Sequence, residues 1–208
     1  MCSPHEARHR ILKVVHMKIL GRVLIATLVI WLAAPILQPF IERARFVYTL
    51  ARQEPPLALP DPLAAPRRSR FVDSWGNARS GGRRHQGIDI FAARDTPVLS
   101  TTSGLVTRVG TNNLGGRVVW VLGPGLERHY YAHLDRYGDV AAGDRIEAGA
   151  IIGYAGDSGN ARGGPVHLHY GIYRNGMAQN PYPRLTAGAQ ATSARVAVSR
   201  PAPGVPRF

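Results

Sequence analysis

Between residues 71 and 185 the apolar positions fall in short runs separated by glycine: TPVLSTTSGLVTRVG, GRVVWVLG, RHYYAHL, AIIGYAG and VHLHYGIY. β-Branched and aromatic residues dominate these runs, and turn-forming residues return every few positions, the signature of short strands joined by tight turns. No window here carries apolar residues at helical spacing over a useful length. The pattern predicts an all-β, largely antiparallel domain over residues 69–185, the one stretch able to form a core.

The remainder of the chain is patterned differently. Residues 23–41 carry no charge and are interrupted only late, by Pro35, Gln38 and Pro39. As a helix rising about 1.5 Å per residue, the run reaches roughly 28 Å, about one hydrocarbon thickness. Arg8, Arg10, Lys13, Lys18 and Arg22 precede it, so the positive-inside rule places residues 1–22 in the cytoplasm and the rest outside. A cleaved signal beginning at Met17 is the rival reading, and the choice between Met1 and Met17 as start stays open. Cleavage after Ala34 would set Leu32 three places back and Pro35 immediately after the cut, a poor site. The expectation is therefore an uncleaved transmembrane anchor. Residues 42–68, with EPPLALPDPLAAP and the basic pair Arg67 and Arg68, read as an extended, semi-rigid linker. Residues 186–208, without periodicity, read as a disordered tail.

Charge changes this picture little. The chain has a formal charge of +13, distributed between the tails and the domain and not gathered on one basic face. Of the 26 basic residues 24 are Arg, a composition that by itself suggests Arg-biased codons. No recognition-helix, RNA-binding-strand or zinc-finger pattern accompanies the charge, so no nucleic-acid partner is expected. Attraction to anionic wall polymer or lipid headgroups is the more natural use of it. The single cysteine, Cys2, precedes the apolar segment. It excludes an intrachain disulfide and a cysteine-based metal site.

The candidate chemistry lies in the histidines. Five of the eight, His85, His129, His133, His167 and His169, fall in the β region. HQGID sets His85 and Asp89 four apart, YAHL contains His133, and HLH sets His167 and His169 two apart. Residues two apart on a strand share a face, with Cα atoms about 6.6 Å apart, so His167 and His169 point into one site. One can bind a metal while the other stands beside it. His85 and Asp89 would be about 13 Å apart if extended. Joint ligation therefore requires a bend, which Gly87 would permit. Alternation in YAHL places His133 on the side of Tyr131, opposite Ala132 and Leu134. Two histidines and a carboxylate with a fourth position open are the donor set of a catalytic zinc site.

HQGID, YAHL and HLHYGIY together resemble the three signature segments of the lysostaphin-type, LytM-like zinc metallopeptidases. The similarity extends through DSWGNARSGGRRHQGIDIFAARDTPV, GLVTRVG, GDRIEAGAIIGYAGDSGNARGGPVHLHYGIY and NPYPRL. It covers roughly residues 71–185. The resemblance implies an antiparallel, hairpin-based sheet with the metal in a groove between loops. It implies His85, Asp89 and His169 as ligands of one Zn²⁺, and His133 and His167 as unligated catalytic histidines. His129 stands outside the motifs and is expected at the surface. The implied activity is hydrolysis of peptide cross-links in bacterial peptidoglycan, with the domain held in the periplasm by an inner-membrane anchor. The anchored architecture resembles Gram-negative envelope enzymes and points by analogy to a D-alanyl–diaminopimelate bond. The glycine-rich loops TNNLGGR and DSGNARGG are expected to wall the groove.

Three other readings share parts of the pattern. A non-catalytic regulator of wall amidases on the same fold would lack site residues, whereas all five positions are filled here. A lipoyl- or biotinyl-type carrier, suggested by GLVTRVG and AAGDRIEAGAIIGYAG, needs an attachment lysine, and none follows Lys18. A purely structural β domain would leave three histidine motifs unexplained.

Overall fold

The computed structural model describes residues 4–64 and 72–199, and the chain divides into two units, Met1–Tyr48 and Thr49–Phe208. Helix α1 (Pro4–Arg52) accounts for the first. Along its middle, apolar side chains such as Leu24, Ile25 and Trp31 are exposed. It is the one helix, among the described residues, long and apolar enough to cross a membrane, a test that a signal sequence also passes. Cys2, Arg67, Arg68 and residues 200–208 lie outside the described residues.

Among the described residues, the second unit is built on nine strands in one antiparallel sheet. They are β1 (Ile88–Phe91), β2 (Pro97–Leu99), β3 (Gly104–Asn112), β4 (Gly116–Leu122), β5 (Arg128–Tyr137), β6 (Arg145–Ile146), β7 (Ile151–Ala155), β8 (His167–Arg174) and β9 (Met177–Gln179). The principal order is β1-β8-β5-β4-β3-β6, with β7 joining β5 to β2 and β9 flanking β8. Helix α2 (Tyr182–Ser199) follows.

Alternation sorts the central strands into two faces. Ile88 and Ile90 of β1, Val119 and Val121 of β4, Tyr131 of β5, and Leu168, Tyr170 and Ile172 of β8 are buried in one core. The residues alternating with them, Asp89, Trp120, Tyr130, His167, His169 and Tyr173, line a cleft on the opposite side. The antiparallel sheet predicted from the sequence is present, and its two-sided pattern makes one face core and the other a site.

Three expectations need correction. Residues 42–52 continue α1 and are not linker. The proline-rich stretch after them is docked, not a free spacer. Leu59 and Leu63 are buried in the main core, Leu59 N–H donates to the Arg184 carbonyl (2.9 Å), and Leu63 bridges Val98 of β2. Prolines favour an extended chain, but Leu59 and Leu63 fall among them, and extended backbone can pair with a sheet edge. Residues 186–199 form most of α2 instead of a structureless tail. The five alanines of TAGAQATSARVAV favour helix although apolar periodicity is absent, and Leu185 anchors its start in the core.

His129 is the third correction. It is fully buried, not at the surface. The Tyr170 hydroxyl lies 2.7 Å from its Nδ1, and Thr101 Oγ1 contacts both Tyr131 and Tyr170 hydroxyls at 2.8 Å. Burial first, and the Arg184 charge second, push its imidazole down to about 3. It lies on the core side of the sheet as part of a buried polar network.

Candidate metal centre

Strand pairing assembles the site. Asp89 of β1 stands directly across from His169 of β8, and His169 is in turn across from Ala132 of β5. Directly paired residues share a face, so the Asp89 carboxylate meets the His169 ring: Oδ1 lies 3.1 Å from Nδ1. His85 precedes β1, and its Nε2 is 3.1 Å from the same Oδ1 and 2.9 Å from His169 Nδ1. Donors at about 2.0–2.2 Å from a tetrahedral Zn²⁺ stand roughly 3.3–3.6 Å apart. The observed triangle thus needs only a slight opening to hold a metal ion.

The neighbours of these groups suit ligation. His85 Nδ1 lies 2.7 Å from the Ser74 carbonyl, to which it donates, leaving the Nε2 lone pair for the site. Ser74 Oγ also accepts from the Asp89 amide at 3.1 Å. Arg79 donates Nη2 to Asp89 Oδ2, so one carboxylate oxygen is fixed and the other faces the histidines. Burial alone would raise the Asp89 carboxyl. Hydrogen bonds and charge from His169 and His85 outweigh it and hold the group well below the usual carboxylate range.

The bend between His85 and Asp89 is present at Gly87, but for a different physical reason. Gly87 does not adopt a left-handed φ. It is a glycine because a Cβ would stand 2.5 Å from the Tyr170 carbonyl oxygen and 2.8 Å from His169 ring atoms. The requirement is closeness, not turn freedom.

His167 and His169 share the site face, as their spacing predicts. His167 Nδ1 donates to the Pro165 carbonyl (2.8 Å) and its Nε2 lies 3.9 Å from Asp89 Oδ1. His133 also reaches the site, with ring centroids 4.8 Å from His167 and 5.9 Å from His169. Simple alternation does not deliver it there. Two steps along β4, from Arg117 to Val119, span three along β5, from Leu134 to Tyr131. The extra residue is a bulge in which His133 adopts φ 62°. Tyr131 and Leu134 both enter the core while Ala132 joins Val118 and Tyr130 on the cleft side. His133 is turned into the cleft by the bulge and secured by its N–H to the Gly115 carbonyl (2.7 Å) and its Nδ1 to the Ser158 carbonyl (2.8 Å). Burial pushes its imidazole down to about 4, against the opposing effect of the Ser158 hydrogen bond.

The cleft encloses about 1040 Å³. Asn113, Leu114 and Gly115 of one loop and Asn160 and Ala161 of another wall it, as the two glycine-rich segments suggested. The loops are stitched together: the Asn160 amide donates to the Leu114 carbonyl (3.0 Å) and the Arg117 amide to Ser158 Oγ (2.9 Å). At Gly116 and Gly159, both with positive φ, a Cβ on either would overlap the backbone of the other. Sequence reasoning missed Ser74, Arg79 and the Ser158 carbonyl, because no local spacing announces a partner ten or more residues away.

Residues 83–181 match Peptidase family M23. The chain is 40% identical over 129 residues to an L-Ala–D-Glu endopeptidase of Bacillus subtilis, covering 56% of this chain and 40% of that protein. It is 36% identical over 110 residues to lysostaphin of Staphylococcus simulans, covering 50% and 22% respectively. The solved catalytic domain of Staphylococcus simulans lysostaphin matches at TM-score 0.51 and 32% identity, over 57% of this chain and 92% of that domain. The chain thus spans less than half the length of these two curated relatives.

Proposed function

Because the chain belongs to peptidase family M23, we propose that it is a zinc-dependent endopeptidase that hydrolyses peptide cross-links of bacterial peptidoglycan. The observation that carries this reading is the convergence of His85 Nε2, Asp89 Oδ1 and His169 Nδ1 on one point, with two further histidines beside it. These three residues would hold one Zn²⁺. When bound, the ion supplies an acidified water and polarises the scissile carbonyl.

The chain's own groups do the rest. His133 and His167 each spend Nδ1–H on a backbone carbonyl, which leaves Nε2 of both as a proton acceptor in the cleft. One takes the proton of the attacking water and passes it to the leaving amine. The other, carrying on Nε2 a proton taken up from solvent before the step, donates it as a hydrogen bond to the developing oxyanion. Arg79 and Ser74 keep the Asp89 and His85 donors aimed while this occurs.

In this reading residues 23–41 anchor the chain in a bacterial inner membrane, with residues 1–22 cytoplasmic and the peptidase unit periplasmic. The test is mass analysis of fragments released from purified wall by the full chain, with and without chelator. Chelator-sensitive release of single stem peptides from cross-linked ones is expected. A zinc-loaded, folded but inert chain would favour the regulator reading. Intact-mass analysis from membranes should find the N-terminus upstream of residue 23, whereas one near Pro35 would replace the anchor with a signal.

A further inference from the structure

The cleft is electrically one-sided. Residues 76–85 fold back on themselves as a small hairpin: Arg79 N–H donates to the Arg83 carbonyl (2.9 Å), His85 N–H to the Asn77 carbonyl (2.9 Å), and Ala78 bridges Arg84. Its tip is the turn Ser80–Gly82, where Gly81 and Gly82 both have φ of 71°. This hairpin forms one edge of the cleft and supplies Arg79, Arg83 and Arg84 to its lining. The facing loops contribute Asn112, Asn113, Leu114 and Asn160, all uncharged.

Arg79 is committed to Asp89, the sole acid among the lining residues. Arg83 and Arg84 are not so committed. Arg83 donates Nε and Nη2 to the Ser80 carbonyl and hydroxyl (3.1 and 3.3 Å), and Arg84 donates Nη1 to the Gly76 carbonyl (3.1 Å). These bonds steady each guanidinium against its own hairpin while leaving donors free. Among the described residues neither pairs with a carboxylate. Two held guanidinium forks without an internal anion are suited to carboxylate recognition.

We propose that the substrate is a cross-linked peptide with ionised carboxylates beside the scissile bond, held by Arg83 and Arg84, and not a neutral bridge such as oligoglycine. This rests on the peptidase reading of the same cleft and names its substrate class. A neutral bridge offers these guanidinium groups no counter-charge, whereas stem peptides carrying free glutamate and diaminopimelate carboxylates do.

The experiment uses the full chain in detergent, loaded with zinc, and a cross-linked stem-peptide dimer in two forms, with those carboxylates free or amidated. The parent should prefer the free-acid form on the order of tenfold in kcat/KM, mainly through KM, given the modest value of each exposed ion pair. The preference should shrink as ionic strength rises. It should fall towards unity in Arg83→Gln/Arg84→Gln and return in part in Arg83→Lys/Arg84→Lys. Equal turnover of both forms by the parent, or a preference that survives the double Gln substitution, overturns the assignment. Equilibrium binding of the same two peptides is read independently of turnover. Preferred binding of the acid form without any cleavage would sink the peptidase reading alone, and equal binding would sink the carboxylate assignment alone.

Discussion

The docked stretch between α1 and the sheet can be tested at two leucines two residues apart. Leu59 is fully buried in the main core, whereas Leu57 is 88% exposed. If residues 54–64 were a spacer, truncating either would be silent. If they are part of the folded unit, Leu59→Ala leaves a cavity worth about 2–5 kcal/mol and Leu57→Ala stays within about 0.5 kcal/mol. In a unit of this size 1 kcal/mol moves Tm by about 2–4 °C, so Leu59→Ala should lower it by about 5–15 °C. Thermal unfolding of the full chain in detergent, followed by near-ultraviolet circular dichroism, reads the ordered aromatic side chains of the core such as Tyr131 and Tyr170. A third variant probes the contact from the other side. A Cβ at Gly188 of α2 would overlap the Leu59 carbonyl, so Gly188→Ala must lift the strap from the helix. Once it is lifted, shortening Leu59 costs little more, and the double variant should fall short of the sum of the singles. Leu59→Ala melting within about 1 °C of Leu57→Ala would refute the docked arrangement.

Three further outcomes follow from the site and the buried network. His85→Ala, Asp89→Ala or His169→Ala should each remove most of the bound zinc by elemental analysis, and full occupancy in His169→Ala would break the ligand assignment. His133→Ala and His167→Ala should keep the metal and lose about 10²–10⁴-fold in turnover of cross-linked peptides; rates within a few-fold of the parent would make both structural. His129 should make the fold acid-sensitive. Its folded pKa of about 3 lies below the ordinary value of 6.5, so below pH 6.5 the unfolded chain binds a proton that the folded chain refuses. Stability should therefore fall as pH drops from about 6.5 towards 3, by about 1 kcal/mol per unit. Denaturant titrations at pH 6.5 and 5 should show a smaller difference in His129→Leu than in the parent, with the remainder belonging to His133, whose imidazole is also pushed down to about 4; an equal difference in both would mean that His129 is not held neutral.

What was legible in the sequence followed the period-2 rule, and what was not followed long-range closure. His167 and His169 share a face because strand geometry admits nothing else, and Asp89 comes to His169 through pairing of β1 with β8. The pattern that marked β8 as a strand does not state that it pairs with β1. His133 shows the limit of periodic reasoning. Alternation predicted the cleft for it and for Tyr131 together, yet Tyr131 is in the core and His133 reaches the cleft because a bulge adds one residue to β5. A positive φ at a histidine is unusual, and it persists where the surroundings over-determine it. Here the Gly115 carbonyl takes its amide and the Ser158 carbonyl takes its ring, and both carbonyls come from loops stitched together at Gly116 and Gly159. Those glycines look like ordinary turn residues in the sequence. In the fold they allow two loops to touch, and that contact is what turns a strand histidine into a site histidine. The same logic explains Gly87: closeness to β8, invisible along the chain, is the constraint that places His85 beside His169.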